Sequence, residues 1–180
     1  MPDDGIAEYA ATHEIDLIVM PTKGEHNLME IVLGSNTIGT IGKTNCPVLI
    51  IPENCTFTAI KEIAYMTDLS YENTENIELA LKFAKLYEAN INYLYVYKDS
   101  PAVEWRVDEL LMKNYEGLDV WFHQIQNDQI ENGLHDFLHQ KDMDLIVSYS
   151  PQKNFLERFL HFSVTRHIVE KIKKPILVLK

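Results

Sequence analysis

The stretch PTKGEHNLMEIVLGS, residues 21 to 35, carries the residue types from which a phosphate cradle is made. Gly24 and Gly34 would let the backbone approach anion oxygens and aim N–H groups at them. Ser35 would add a hydroxyl or cap a helix starting there, and that helix would point its positive end at the anion. Pro21 works against this chemistry, because its ring fixes φ and removes a donor. The stretch therefore reads as a phosphate-binding loop with parts missing.

Other clusters offer less. Glu131, His135 and His139 are spaced four apart, as metal ligands on one helix flank could be, but no further ligand is fixed by the sequence. Glu72, Glu75 and Glu78, with Asp108 and Glu109, read as solvated helix faces. Cys46 and Cys55 form neither a CxxC nor a ligand set, and read as reduced thiols. No Ser, Cys or Lys nucleophile stands beside a base in a local motif, and no HExxH or Walker pattern occurs, so enzymatic activity is not expected.

The elements that would position the loop are organised by a repeat. At a constant offset of 128 residues, GIAEYAATHEIDLIV (Gly5 to Val19) falls on GLHDFLHQKDMDLIV (Gly133 to Val147) without a gap. Leu28 then falls on Leu156, Ser35 on Ser163, Thr37 on Thr165, Lys43 on Lys171, Pro47 on Pro175 and Leu49 on Leu177. Such sustained register indicates an internal duplication. Residues 1–52 correspond to 129–180, so the chain holds a half-unit (1–52), a polar linker (53–57) and a complete unit (58–180).

Within 58–180, β-rich runs at Ile63–Thr67, Ile91–Tyr97, Leu118–Ile125, Leu145–Val147 and Ile176–Leu179 read as strands. Helical faces lie between them: Ile77, Ala80, Leu81, Ala84 and Tyr87 behind caps at Asn73 and Thr74, then Val107, Leu110 and Leu111, then Leu134, Phe137 and Leu138. Alternating strands and helices demand crossovers, hence an α/β fold with a parallel five-stranded open sheet, helices on both faces, and a crevice at the strands' carboxyl ends. Aromatics in INYLYVY read as core and helix-packing residues.

DLIVM-P-TK-G-EHNLMEIVL-GS, followed by NCPVLIIP, resembles the signature of the universal stress protein family, with Pro21 at the first glycine position, Gly24 at the second and Gly34–Ser35 as the closing pair. The resemblance implies the universal stress protein, or adenine nucleotide alpha hydrolase-like, fold in tandem form with an incomplete first domain. In nucleotide-binding members an aspartate ending the first strand contacts the adenosine; Asp68 stands in that place here. The complete unit's own loop, SYSPQKNFLERFLHFS, has Tyr149, Gln152 and Phe162 where glycines would be and keeps only Ser163. Gly24, Gly34, Ser35, Asp68 and Ser163 are thus the candidate nucleotide contacts, divided so that neither unit has a whole site. ATP or AMP would be the ligand, and slow ATP hydrolysis or phosphate transfer at the Gly24–Ser35 loop is the alternative to a degenerate site. The family also pairs its last strands across a twofold or pseudo-twofold axis, implying a homodimer or pseudo-dimer through Val48–Ile51 and Ile176–Leu179. A receiver domain, with Asp68 ending its first strand and Lys180 its last, competes but lacks a phospho-acceptor aspartate after 118–125.

Composition limits the partners. Its 180 residues are 46% apolar and 24% charged, as in a globular chain. A net charge of −11 repels nucleic acid and anionic membranes, which are not expected partners. MPDDGIAEYA has no signal-peptide pattern and no apolar run is long enough to span a bilayer, so the expected location is the cytoplasm.

Overall fold

The structure is a computed structural model describing residues 1–21, 35–52, 55–56, 59–67, 74–100, 117–149 and 174–180. Its elements in chain order are α1 (Pro2–Thr12), β1 (Ile18–Pro21), α2 (Ser35–Lys43), β2 (Val48–Ile51), β3 (Glu62–Met66), α3 (Thr74–Tyr87), β4 (Asn90–Tyr97), β5 (Val120–Gln126), α4 (Ile130–Gln140), β6 (Leu145–Tyr149) and β7 (Ile176–Leu179). The helix expected around 107–111 lies outside the described residues, as do linker residues 53, 54 and 57. Elements recur at the 128-residue offset: Pro2–Thr12 maps onto Ile130–Gln140, and Val48–Ile51 onto Ile176–Leu179. The chain packs as two compact units, Met1–Phe57 with Ser148–Lys180, and Thr58–Val147.

In the first unit, α1 starts well for a helix, with Pro2 in its first turn and Asp3 and Asp4 at its positive end. It ends where Glu14 turns to φ 50° and the Ile15 N–H closes on Ala10 O at 3.3 Å. The strands run in the order β1-β2-β7. β1 is parallel to β2, with Ile18 opposite Val48 and Pro21 opposite Ile51. β2 is antiparallel to β7, with Val48 opposite Val178 and Ile50 opposite Ile176. The short apolar segments singled out in the sequence thus pair with each other inside one chain, and Val48, Ile50, Leu177 and Val178 are buried there. The helices α1 and α2 approach closely at Gly39, where a Cβ would collide with the Asp3 carboxylate.

In the second unit the order is β6-β3-β4-β5, and β4 is parallel to both β3 and β5. Helices cover both faces. Ile77 of α3 packs on Tyr95 and Phe122, whereas Phe137 of α4 stacks obliquely on His123 with ring centroids 4.7 Å apart. Because Leu94 is opposite His123 and Tyr93 opposite Phe122, those two helices lie on opposite sides of the sheet. Gly133 brings α4 down onto the strands, its missing Cβ leaving room for Val96 and Ile125. Ile63, Tyr65, Ile91 and Tyr93 fill the opposite face, with the Tyr65 and Tyr93 rings 5.0 Å apart. The strands expected at 118–125 and 63–67 begin or end within two residues of those bounds, at Val120 and Met66.

Candidate functional site

The loop of interest begins where β1 stops. Leu17 and Ile18 are half-buried and Met20 is buried, so the apolar run holds the strand in place until Pro21 ends it. α2 is described from Ser35 onward. Two residues later the Thr37 hydroxyl donates to Pro21 O at 3.4 Å, so the chain leaves the carboxyl end of β1 and returns to it at the amino end of α2. Any group held by the intervening backbone would meet the start of a helix, where N–H groups are unpaired. Gly24 and Gly34 lie outside the described residues, as does the Ser35 side chain. Farther along α2, the Thr40 hydroxyl is fully buried and has no hydrogen-bond partner among the described residues.

In the second unit, β3 ends at Met66 and the Thr67 N–H donates to Leu94 O at 3.1 Å. Asp68, which would follow, lies outside the described residues, and so does Ser163. Tyr149 closes β6, immediately after Ser148, whose buried hydroxyl has no partner among the described residues. The structure therefore brings together the Pro21 and Ser35 ends of the first loop, while the remaining candidates fall beyond what it describes.

Polar groups that the sequence did not single out are more fully placed. Lys43 at the end of α2 reaches Asp3 Oδ2 at 2.6 Å and Asp4 Oδ1 at 2.5 Å. Its hydrogen bond lowers the Asp3 carboxyl from 3.8 and, with the terminal ammonium, takes Asp4 down to about 2; the lysine is raised in turn. Asp144 Oδ2 accepts the N–H groups of Lys61 at 2.8 Å and Glu62 at 3.0 Å, while the Asp144 N–H donates to Glu62 O at 2.8 Å. One carboxylate thus ties the start of β6 to the start of β3. A polar chain then crosses the strands: Asn90 and Asn92 donate to the two Glu62 oxygens at 2.6 and 2.7 Å, and His123 Nε2 meets Asn92 Oδ1 at 2.9 Å. Because Asn92 Oδ1 can only accept, Nε2 is the donor in this contact, and burial, helped by the Lys141 charge, lowers the His123 pKa from 6.5. A repeated aspartate in the two DLIV segments was the available signal for Asp144; isolated Asn and His on strands gave none.

Cys46 donates its thiol to Ile15 O at 3.0 Å, and burial raises its pKa from 9.0. Among the described residues no group of three His, Cys, Asp or Glu side chains could hold a metal, and no helix is long and apolar enough to cross a membrane. His135 and His139 lie with ring centroids 5.7 Å apart on α4.

Residues 1–52 match the model of the universal stress protein family. A curated universal stress protein of Methanocaldococcus jannaschii is 29% identical over 139 residues, covering 67% of this chain and 82% of the relative. The crystal structure of a universal stress protein from Archaeoglobus fulgidus superposes with a TM-score of 0.73 at 17% identity, over 99% of this chain. Residues 1–52 thus carry the universal stress protein signature, and the chain as a whole is similar to proteins of that family and shares their fold. It spans 65% of the length of that Archaeoglobus structure. A universal stress protein solved in complex with cAMP shares the fold, with a TM-score of 0.53 and 17% identity over 68% of this chain and 98% of that one.

Proposed function

We propose that this chain is a universal stress protein-like, non-enzymatic stress-response module whose second unit no longer takes nucleotide in the usual geometry, and whose last strands form a pseudo-dimer. The observation that carries the reading is the β2–β7 pairing, Val48 opposite Val178 within a single chain. Two apolar edges are covered at once without a second copy, which suits a module that acts by presenting surfaces rather than by turnover. Tyr149 and Phe162 in place of glycines, in a loop that would have to cradle phosphate, support loss of the second site.

A second reading is adenine-nucleotide binding, with or without slow hydrolysis, at the Gly24–Gly34–Ser35 loop. It is favoured by the contact of Thr37 with Pro21, which sets the end of β1 against the start of α2. The cAMP complex of a protein of this fold points the same way. Thermal unfolding with ATP and magnesium, with AMP and with cAMP separates the two. A real site at a hundredfold excess over its Kd adds about 2.7 kcal/mol. The first reading expects no shift and no nucleotide released on denaturing the purified protein; a saturable shift abolished by Gly34→Val would replace it with the second.

A further inference from the structure

His135 and His139 stand one helical turn apart in α4, so their rings share one flank of the helix. The ring centroids are 5.7 Å apart, with the planes tilted by 53°. An ion held by one nitrogen of each ring at about 2.0–2.1 Å would put the ring centres about 5–6 Å apart, so the pair already has the spacing that a shared ion demands. A carboxylate sets one ring for that role, because Asp136 Oδ1 lies 3.3 Å from His135 Nδ1. The carboxylate only accepts, so Nδ1 carries the hydrogen and the free lone pair of the neutral ring is on Nε2. A carboxylate behind a ligating imidazole fixes its tautomer and raises its basicity.

Packing does not call for these rings. At the 128-residue offset the same frame of α1 has Ala7 and Ala11, and alanine is the better helix former. α4 meets the strands through Gly133 and Phe137 instead. The His135 side chain is 26% exposed and His139 is exposed, so an ion reaches both without disturbing the core.

We propose that His135 and His139 bind one divalent transition-metal ion of the class that favours imidazole, Zn²⁺, Ni²⁺ or Cu²⁺, with water filling the remaining positions. Imidazole nitrogen suits these ions, whereas Mg²⁺ and Ca²⁺ take oxygen ligands. Three protein ligands mark a catalytic zinc and four a structural one; this is a two-ligand site, and no larger group occurs among the described residues. The net charge of −11 draws cations to the surface. Because the rings come together only while 135–139 is helical, the ion clips the second half of α4 and its binding adds to the stability of the folded chain.

The test titrates the metal-free full chain, carrying no added histidines, with zinc chloride and follows the histidine ring signals by NMR. One-to-one saturation by about 0.1 mM Zn²⁺ is expected, with the largest shifts at His135 and His139 and none from Mg²⁺ at the same concentration. Cu²⁺, followed by calorimetry, should bind more tightly than Zn²⁺. His135→Ala and His139→Ala should each weaken binding at least about tenfold, and as exchanges to alanine within a helix they leave the fold intact. Asp136→Ala should weaken it about tenfold while keeping both ligands. Combining His139→Gln with Gln140→His keeps the number of histidines, breaks the one-turn spacing and should abolish the site. Binding that survives this exchange or either histidine-to-alanine variant would overturn the proposal and leave an adventitious ion only. So would shifts centred on other histidines, equal shifts with Mg²⁺, or no saturation at that concentration.

Discussion

Replacing glycine by alanine at the equivalent positions of α1 and α4 should change stability in opposite directions. Gly5 and Gly133 are each the fourth residue of an eleven-residue helix, so the intrinsic gain from alanine is the same, about 0.8–1 kcal/mol. At Gly5 nothing opposes it among the described residues, none of whose atoms lies within 4 Å of the new Cβ. At Gly133 the Cβ would sit 2.8 Å from Val96 Cγ1, 3.1 Å from Asn127 Cβ and 3.2 Å from Ile125 Cγ2. Val96 and Ile125 are β-branched residues on paired strands and cannot turn aside cheaply, so overpacking should cost about 1–3 kcal/mol. The expected outcome is Gly5→Ala stabilising by up to about 1 kcal/mol and Gly133→Ala destabilising by about 1, a spread near 2. Urea unfolding read by circular dichroism measures both, with equal slopes confirming that compactness is unchanged. Changes of the same sign and size at both positions would refute the reasoning, since they would mean that α1 and α4 have like surroundings.

Three further outcomes follow from the polar groups. Asp144→Ala should cost about 2 kcal/mol, two carboxylate bonds discounted because Lys61 is exposed, whereas Asp16→Ala should stay within about 0.5; equal losses in urea would contradict the assigned bonds. The carboxyls of Asp3 and Asp4 are depressed in the folded chain, so their contribution is complete above 3.8 and is lost as pH falls toward about 2. Lys43→Met should therefore move the acid-unfolding midpoint to higher pH, and an unchanged midpoint would remove the ion cluster from the account. His123, lowered from 6.5, stays neutral in the fold while the unfolded chain takes up a proton, so its contribution fades as pH drops below 6.5. An NMR titration of that ring should show a midpoint under 6.5, and Asn92→Leu, which removes the Nε2 partner, should change its tautomer signature.

What could be read from the sequence was what periodicity and spacing encode. The runs Ile91–Tyr97 and Ile176–Leu179 carry their strand signal in their own residues, and the duplication placed α1 and α4 before any coordinates. A helix between the loop and the last strand of the half-unit was legible for the same reason, and α2 lies there. Surroundings were not legible. Gly5 and Gly133 are the same residue in matched frames, and only tertiary contact makes one open and the other packed. The Glu62–Asn90–Asn92–His123 chain was invisible because it depends on the lateral register of neighbouring strands, with Glu62 opposite Asn90 and Leu94 opposite His123. Of the candidate site, the sequence supplied the loop's ends and its chemistry; Gly24, Gly34, Asp68 and Ser163 stay expectations, since they lie outside the described residues.

β1 is where the loop meets the sheet. It has four residues and, among the described strands, one hydrogen-bonded neighbour, and its last carbonyl, that of Pro21, accepts from Thr37 at the head of α2. A strand laid along its other edge would restrict the same backbone that a ligand in the 21–35 loop must hold still. The second of the two to bind would then find part of the ordering already done, and linkage requires the gain to be mutual. In β6 that restriction is permanent, because β3 is covalently part of the unit. In β1 the same coupling would hold for whatever strand lies along that edge, whether from the same protein or another.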